Sequence, residues 1–375
     1  MSEQITDYSG TDDRILSPDE RVGYAVVGLG ELTEAELYPA FSLSARSKLT
    51  ALVTGDREKA LVQARQLGLK DEDVYDYDHF EELEGRADVQ AVFIVLPNSL
   101  HREFAVRAAK IGKHVLCEKP LSVSVPDAEA MVLACKAAGV LLMTAYRIQY
   151  TPHHQAAREL MQSGQIGEVK LLTAIDVQAE PNEGQWRLKR ELAGGGSLLD
   201  VGLYCLNTAR FLTGEEPYEV FAYTHSTPND PRFEEVEESV SFTLRFPSGI
   251  ISSNFCSYGA SRHRSMRVLA DQANLLLDPA FDYTNLRLKK DTEAQVTELL
   301  IKEVDQFALE LDHFSRCVAS GEQPYTPGEE GLQDQRIMEA IYTSAREGRP
   351  VQLERFEGRD VFRGRPPAQA ERERS

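Results

Sequence analysis

The sequence predicts an α/β protein of two domains: an N-terminal doubly wound parallel sheet, then an α+β domain with a largely antiparallel open sheet. Three observations carry that prediction. From Val22 onward, short runs rich in Val, Ile and Leu alternate with helix-length amphipathic segments, the pattern of right-handed βαβ crossovers. After about Arg147 the texture changes to longer strands whose residues alternate in polarity, as in a sheet with one covered face. The chain has 375 residues, 42% of them hydrophobic, which is enough for two cores.

The first-domain strands are expected at Tyr24 to Val27, Leu49 to Val53, Val74 to Tyr75, Val89 to Leu96, His114 to Cys117 and Val140 to Thr144. Gly68, Gly112 and Gly139 each follow a periodic apolar segment, where glycine best tolerates the left-handed residue that ends a helix. Beyond Arg147 come a helix near His153 to Ser163, a strand Val169 to Gln178, and a hairpin of Val236 to Phe246 with Ile250 to Tyr258, turned by Pro247-Ser248-Gly249. Arg264 to Ala270, Asn274 to Leu277 and Asn285 to Lys289 extend the sheet, and helices at Val304 to Ala319 and Gly328 to Glu347 follow. The expected boundaries are an arm over 1–20, domains over 21–147 and 148–362, and a charged, proline-containing tail over 363–375 read as disordered.

A formal charge of −19 repels phosphate backbones and anionic membranes, so nucleic-acid and membrane partners are not expected. No apolar run approaches the length of a membrane helix, and the first twenty residues, with Asp7, Asp12, Asp13, Asp19 and Glu20, lack the apolar core of a secretory signal, so a cytoplasmic protein is expected. The five cysteines form no CxxC pair and the eight histidines no HxxxH or HExxH spacing, so no metal site is expected.

Gly28-Leu29-Gly30 directly follows the first strand and precedes a helical segment, where backbone amides and a helix N-terminus meet a pyrophosphate. The third glycine of the dinucleotide fingerprint is replaced by Thr33, so the helix and strand are expected to pack slightly further apart. At the end of the second strand, where a carboxylate would accept the ribose hydroxyls of NAD, stands Thr54. Thr54-Gly55-Asp56-Arg57-Glu58-Lys59 offers a hydroxyl and two cations suited to a 2′-phosphate, favouring NADP. The competing reading has Arg57 and Lys59 on a solvated helix start and Asp56 on the ribose of NAD.

Glu118-Lys119-Pro120 closes the strand His114 to Cys117 at the carboxyl edge of the sheet, where doubly wound folds bind ligands; the Lys119-Pro120 bond is a candidate for the cis form. Gly194-Gly195-Gly196-Ser197 leads into an apolar helix on which Asp200, Tyr204 and Asn207 form one polar stripe. Buried polar groups need partners, and a sugar in a cleft would supply them. Equally, Ser197-x-x-Asp200 fits a capping box and Tyr204 a core aromatic. Hydride transfer from an alcohol needs a group that takes the hydroxyl proton; tyrosine serves if an ammonium such as that of Lys119 favours its phenolate, with Asp200 orienting Lys119 or a substrate hydroxyl.

With AVVGLG at Ala25, VLPNSLH at Val95, GKHVLCEKP at Gly112, QWRLKRELAGGGSLLDVGLY at Gln185, TGEEP at Thr213 and PGEEGLQD at Pro327, the chain resembles the Gfo/Idh/MocA oxidoreductases over nearly its whole length, and within them the glucose–fructose oxidoreductase branch. The resemblance implies a Rossmann domain, Tyr204 as acid/base supported by Lys119 and Asp200, and NADP with Thr54 and Lys59 at its 2′-phosphate. The cofactor-binding residues expected on this basis are Gly28, Gly30, Glu31, Leu32, Thr54, Lys59, Leu96, Pro97, Asn98, His101, Glu118, Lys119, Arg147, Trp186 and Arg187. Lys119, Tyr146, Asp200 and Tyr204 are expected at the substrate, with Arg147, Trp186 and Arg187 also lining the sugar pocket. In that branch NADP stays bound while one sugar is oxidised and another reduced, an N-terminal arm helps bury the nucleotide, and the open second sheet joins subunits. A homodimer or homotetramer is therefore implied.

The expected function is an NADP-dependent oxidoreductase of aldoses or polyols with a retained, recycled cofactor. The alternatives are an ordinary NAD(P)-dependent sugar or dihydrodiol dehydrogenase with exchangeable cofactor and a non-catalytic NADP-binding sensor.

Overall fold

The computed structural model describes residues 15–367. The first sheet is built from β1 (Val22–Val27), β2 (Ser47–Thr54), β3 (Val74–Asp76), β4 (Ala91–Ile94), β5 (His114–Glu118) and β6 (Leu142–Ala145), in the order β3-β2-β1-β4-β5-β6. Every pairing is parallel. The helices α1 (Tyr38–Leu43), α2 (Arg57–Gln66), α3 (His101–Lys110) and α4 (Val125–Ala138) lie between the strands in sequence. All positions of β1 and β4 are buried, as expected of strands covered on both faces, which is why they read as continuous apolar runs rather than alternating ones. Gly68, Gly112 and Gly139 take φ values of 76°, 70° and 67°, as their places at helix ends require.

Next come α5 (Pro152–Gln162), β7 (Val169–Val177), α6 (Arg190–Ala193) and α7 (Leu203–Thr213), then β8 (Glu219–His225), β9 (Ser239–Arg245), β10 (Ile251–Ser257), β11 (His263–Ala270), β12 (Asn274–Leu277), β13 (Leu288–Asp291) and β14 (Val296–Leu299). Two long helices, α8 (Gln306–Ser320) and α9 (Gly328–Glu347), and the short β15 (Val351–Gln352) complete the chain. The second sheet runs β14-β13-β12-β11-β7-β10-β9-β8-β15; only β7 and β10 pair in parallel. The β9–β10 hairpin turns at Gly249, with φ of 92°. Sequence reasoning missed β8, β14 and β15 and set β13 too early. The edge strand β14 has no buried residue, so it leaves little apolar signal.

Contacts divide the chain into two compact units. Among the described residues, one holds 15–147, 305–332 and 362–367, and the other holds 148–304 and 333–361. Residues 305–332 thus group with the parallel sheet: α8 packs on α1, β1 and β2, and Tyr24 of β1 reaches Ser315 of α8 at 2.9 Å. The expected disordered tail requires a correction at its head. Arg363 is buried and pairs with buried Glu330 at 2.5 Å, and the Gly364 amide donates to the Tyr325 carbonyl. The rest of that tail, and residues 1–14 of the expected arm, lie outside the described residues. Among the described residues no helix is long and apolar enough to cross a membrane.

Candidate active site

At the carboxyl end of β1 the chain turns at Gly28, with φ of 98°. A Cβ there would stand 2.2 Å from the Val95 carbonyl oxygen and 2.8 Å from the Leu96 side chain, so only glycine fits. At Gly30, which is exposed, no atom of the described residues beyond its chain neighbours lies within 4 Å of a Cβ position, which leaves open a cradle. Thr33, in place of the third glycine, is buried and donates its hydroxyl to the Gly28 carbonyl at 2.8 Å. The following turn, Thr33–Leu37, is π-helical rather than α-helical. Exposed Glu31 and half-buried Leu32 open the helix directly after the cradle.

Thr54, the last residue of β2, accepts the Asp56 amide on its hydroxyl at 3.0 Å. Asp56 caps α2 by accepting the Lys59 amide at 3.0 Å, so its carboxylate is committed to the helix start. The Lys59 ammonium folds back to the Leu29 carbonyl at 2.9 Å and pairs with Glu34 at 2.5 Å. Arg57 instead donates to the carbonyls of Val74 and Asp71. Of the two cations expected here, Lys59 lies beside the glycine turn and Arg57 points toward β3.

The next two strand ends are tied together by His101, at the start of α3. Its Nδ1 lies 3.0 Å from the Pro120 carbonyl and its Nε2 2.9 Å from the Leu96 carbonyl. Burial lowers its pKa, against the carbonyls of Leu96 and Pro120, which favour the protonated ring. This staple joins the Leu96-Pro97-Asn98 turn to the Glu118-Lys119-Pro120 turn, where the Lys119-Pro120 bond is cis. Glu118 is buried and accepts the Lys119 amide at 3.2 Å. Tyr146 is buried, and so is Arg147, whose guanidinium donates to Gln306 and lies 5.9 Å over the Phe307 ring. One group here escaped the sequence reading: Glu310 of α8 is fully buried, and among the described residues neither carboxylate oxygen has a hydrogen-bond partner.

In the other unit, the glycine run is explained by close approach. A Cβ on Gly195 would stand 2.2 Å from the Tyr342 hydroxyl, and one on Gly196 would stand 2.1 Å from the Glu237 carbonyl. The Glu237 carboxylate accepts the amides of Gly196 and Leu198 at 2.9 and 3.0 Å and the Tyr342 hydroxyl at 3.0 Å. Ser197 makes no capping bond; the Ser197-x-x-Asp200 box does not form because Glu237 already serves this helix start. A π-helical turn, Leu198–Gly202, then leads into α7.

Asp200 is thereby released to face Tyr258, whose hydroxyl it accepts at 2.9 Å, and Arg187, whose Nε lies 3.4 Å away. Arg187 also lies 4.6 Å over the Trp186 ring, so the two residues sit as one unit beside Asp200. Tyr204 is half-buried, its ring nearly parallel to that of Phe281 with centroids 5.9 Å apart. Asn207 leaves the expected stripe: it accepts from Gln149 at 2.7 Å and donates to Asp334 at 2.8 Å, inside the core. Tyr258, Phe281 and Glu237 were missed by sequence reasoning. Each comes from a distant strand or loop, and no local spacing announces it.

Two family models match the chain: an oxidoreductase-family NAD-binding Rossmann fold over residues 22–146 and an oxidoreductase-family C-terminal alpha/beta domain over residues 158–353. A D-xylose 1-dehydrogenase [NADP(+)] of Haloarcula marismortui is 31% identical over 342 residues, covering 90% of this chain and 94% of that protein. The 1,5-anhydro-D-fructose reductase of Ensifer adhaerens is 32% identical over 282 residues, covering 73% of this chain and 83% of that one. Among solved structures, the aldose-aldose oxidoreductase from Caulobacter crescentus complexed with glycerol superposes with a TM-score of 0.87 at 40% identity, covering 89% of this chain and 100% of that chain.

Proposed function

Because this chain belongs to the Gfo/Idh/MocA oxidoreductase family, we propose that it moves hydride between a carbon of an aldose or polyol and NADP, with Tyr204 carrying the hydroxyl proton. The observation that carries this reading is the pairing on one helix of a half-buried phenol, Tyr204, with Asp200 one turn before it, the carboxylate held by Tyr258 and Arg187. Neither is consumed by a helix cap. NADP-dependent sugar enzymes among the relatives, and the aldose-aldose oxidoreductase, favour this substrate class.

The residues at the first unit's edge fit a dinucleotide: an open cradle at Gly30, a hydroxyl at Thr54 and an ammonium at Lys59. Gly28, Gly30, Glu31 and Leu32 would hold the pyrophosphate through the backbone, and Thr54 and Lys59 the 2′-phosphate. When bound, NADP supplies the hydride acceptor. In oxidation Tyr204 takes the proton from the sugar hydroxyl at its phenolic oxygen, and in reduction it returns that proton to the carbonyl oxygen. Asp200 orients the hydroxyl that reacts, and Lys119 is assigned to the substrate as its cationic partner. Tyr204→Phe is expected to abolish turnover while leaving NADP affinity unchanged; unaltered turnover would remove the phenol from the reaction.

Two versions of this reading differ in what becomes of the nucleotide. Likeness to an aldose-aldose oxidoreductase favours a retained, recycled cofactor, and likeness to xylose dehydrogenases an exchangeable one. A reduced-nicotinamide absorbance band that survives desalting and is bleached by a second sugar supports recycling. Turnover only with added NADP supports exchange.

We also propose a homo-oligomer formed through the second sheet. Its registers align Leu171 with Ile251, and Tyr223, Ser241 and Phe255 in a second row; Leu171, Ile251, Phe255 and Tyr223 are all exposed apolar residues. A monomeric mass in solution would exclude this.

A further inference from the structure

The phenol of Tyr204 is backed by a plate, and that plate has an anchor outside the residues so far assigned a role. Arg264 stands on β11 directly opposite Asp176 of β7. Its Nε donates to Asp176, which is fully buried, at 3.0 Å, and its remaining nitrogens donate to Asp282 at 2.9 Å and to Gln178 at 2.6 Å. Its backbone carbonyl accepts the Ala280 amide at 2.9 Å. One residue therefore grips both ends of Ala280-Phe281-Asp282, by main chain at one end and by side chain at the other. Between those grips Phe281 is fully buried and presents its ring to Tyr204 at an interplanar angle of 21°. The same ring stacks with His154 at 6.3 Å and 27°.

We propose that Arg264 is a positioning residue for proton transfer at Tyr204: by locking Ala280–Asp282 it holds the Phe281 ring that sets the orientation of the phenol. The inference rests on the reading of Tyr204 as the proton carrier and extends it to residues that need touch neither sugar nor nucleotide. Its physical basis is the stiffness of a forked guanidinium between two carboxylates. A planar donor set with bidentate reach fixes its neighbours more tightly than a lysine would. Burial works against the charge on Arg264, but Asp176, Asp282 and then Tyr204 more than offset it and hold its pKa above the ordinary value. The guanidinium is thereby held charged between Asp176 and Asp282, with the Phe281 ring fixed beside it. Proton transfer is steep in geometry, and displacement of a reacting group by an ångström is worth up to about a hundredfold in rate.

Removing Arg264 outright would leave Asp176 buried without its cation and endanger folding, so the test uses milder changes. Asp282→Asn weakens the grip on the plate while keeping the Arg264–Asp176 pair, and Phe281→Leu removes the flat ring while keeping an apolar side chain. Each is expected to lower kcat roughly tenfold, within the range that misplacing a reacting group produces. KM for the sugar and affinity for NADP should stay within about twofold, and the solvent deuterium isotope effect on kcat should rise as proton transfer becomes slower. Arg264→Lys, which retains the charge but not the fork, should fall between these variants and the parent.

Full kcat in both folded variants overturns the proposal. So does a loss that appears in KM or NADP affinity with the isotope effect unmoved, since a merely structural role predicts that pattern. Tyr204→Phe separates the two levels of argument. If it is inactive while Asp282→Asn and Phe281→Leu are fully active, only the positioning role fails. If Tyr204→Phe still turns over, the assignment of the proton carrier fails and takes the positioning role with it.

Discussion

The carboxylate of Asp200 accepts the hydroxyl of Tyr258 across 2.9 Å, joining the π-helical turn before α7 to the end of β10. Burial, and then the charge of Asp200, pushes the Tyr258 phenol well above its ordinary pKa. Tyr258 is thus a permanent donor at working pH and does not compete with Tyr204 for the substrate proton. Tyr258→Phe removes that donor from a largely buried carboxylate, a loss worth roughly 1–3 kcal/mol. If Asp200 orients the reacting hydroxyl, kcat/KM should fall by about tenfold or more, with NADP affinity intact. Steady-state kinetics beside a nucleotide titration check this.

Cofactor choice is expected to rest on Thr54 and Lys59. Thr54→Asp places a carboxylate where a 2′-phosphate would lie and gives the ribose hydroxyls of NAD an acceptor. NADPH affinity should drop by roughly a hundredfold and NADH affinity should rise, reversing the preference. Lys59→Ala should weaken NADPH by about tenfold and leave NADH nearly unchanged, since only the phosphate requires the cation. Fluorescence titrations of each variant with both nucleotides decide it.

The parts of this fold legible in the sequence are those whose signal is local. β1 and β4 are apolar because both faces of the sheet are covered, and Gly28 is glycine because the Val95 carbonyl leaves no room for a side chain. The expectation that Thr54, Lys59 and Lys119 serve the site likewise rests on a local signal, their place at or just after strand ends. The illegible parts are settled by residues far away along the chain. Ser197-x-x-Asp200 has the spacing of a capping box, but Glu237 takes the amides first, and Asp200 turns to Tyr258 instead. Asn207 has the spacing of a ligand residue, but Gln149 and Asp334 claim it. Charge density made the chain from Arg363 read as disordered, whereas a buried ion pair with Glu330 and the Gly364 amide on the Tyr325 carbonyl fasten its head.

The TGEEP and PGEEGLQD segments, part of the family resemblance, meet in a structural ion cluster rather than at the site. Arg210 is fully buried; it forks onto Glu216 through two bonds of 2.8 Å and reaches Asp334 at 2.5 Å. Arg210→Met would leave two buried carboxylates without their cation and should destabilise this unit by about 3–5 kcal/mol. Adding Glu216→Gln and Asp334→Asn removes the stranded charges and should recover much of that loss. Urea denaturation of the single and triple variants checks the order; a triple variant less stable than the single one would refute it.

Two groups on α8 give the fold opposite responses to pH. Burial, with the charge of Arg316, lowers the His313 pKa to about 3, and its Nε2 accepts the Tyr325 amide at 2.8 Å, which requires the neutral ring. An unfolded histidine binds its proton near pH 6.5, so this contribution to stability is full above about 6.5 and is lost as pH falls toward 3. Glu310 behaves in the reverse sense. Burial, and then the charge of Glu118, raises its pKa well above the usual carboxylate range, so the folded protein keeps it neutral while the unfolded chain ionises near 4.5. Its contribution is full below that value and is lost as pH rises through the folded pKa. Glu310→Gln, which mimics the neutral acid, should therefore raise Tm relative to the parent on the alkaline side and change it little at low pH. His313→Asn, whose amide oxygen can still accept the Tyr325 amide, should flatten the acid side without altering the alkaline one. Melting curves of the three proteins between about pH 4 and 9 test both signs at once, since each substitution should act on one limb of the profile only.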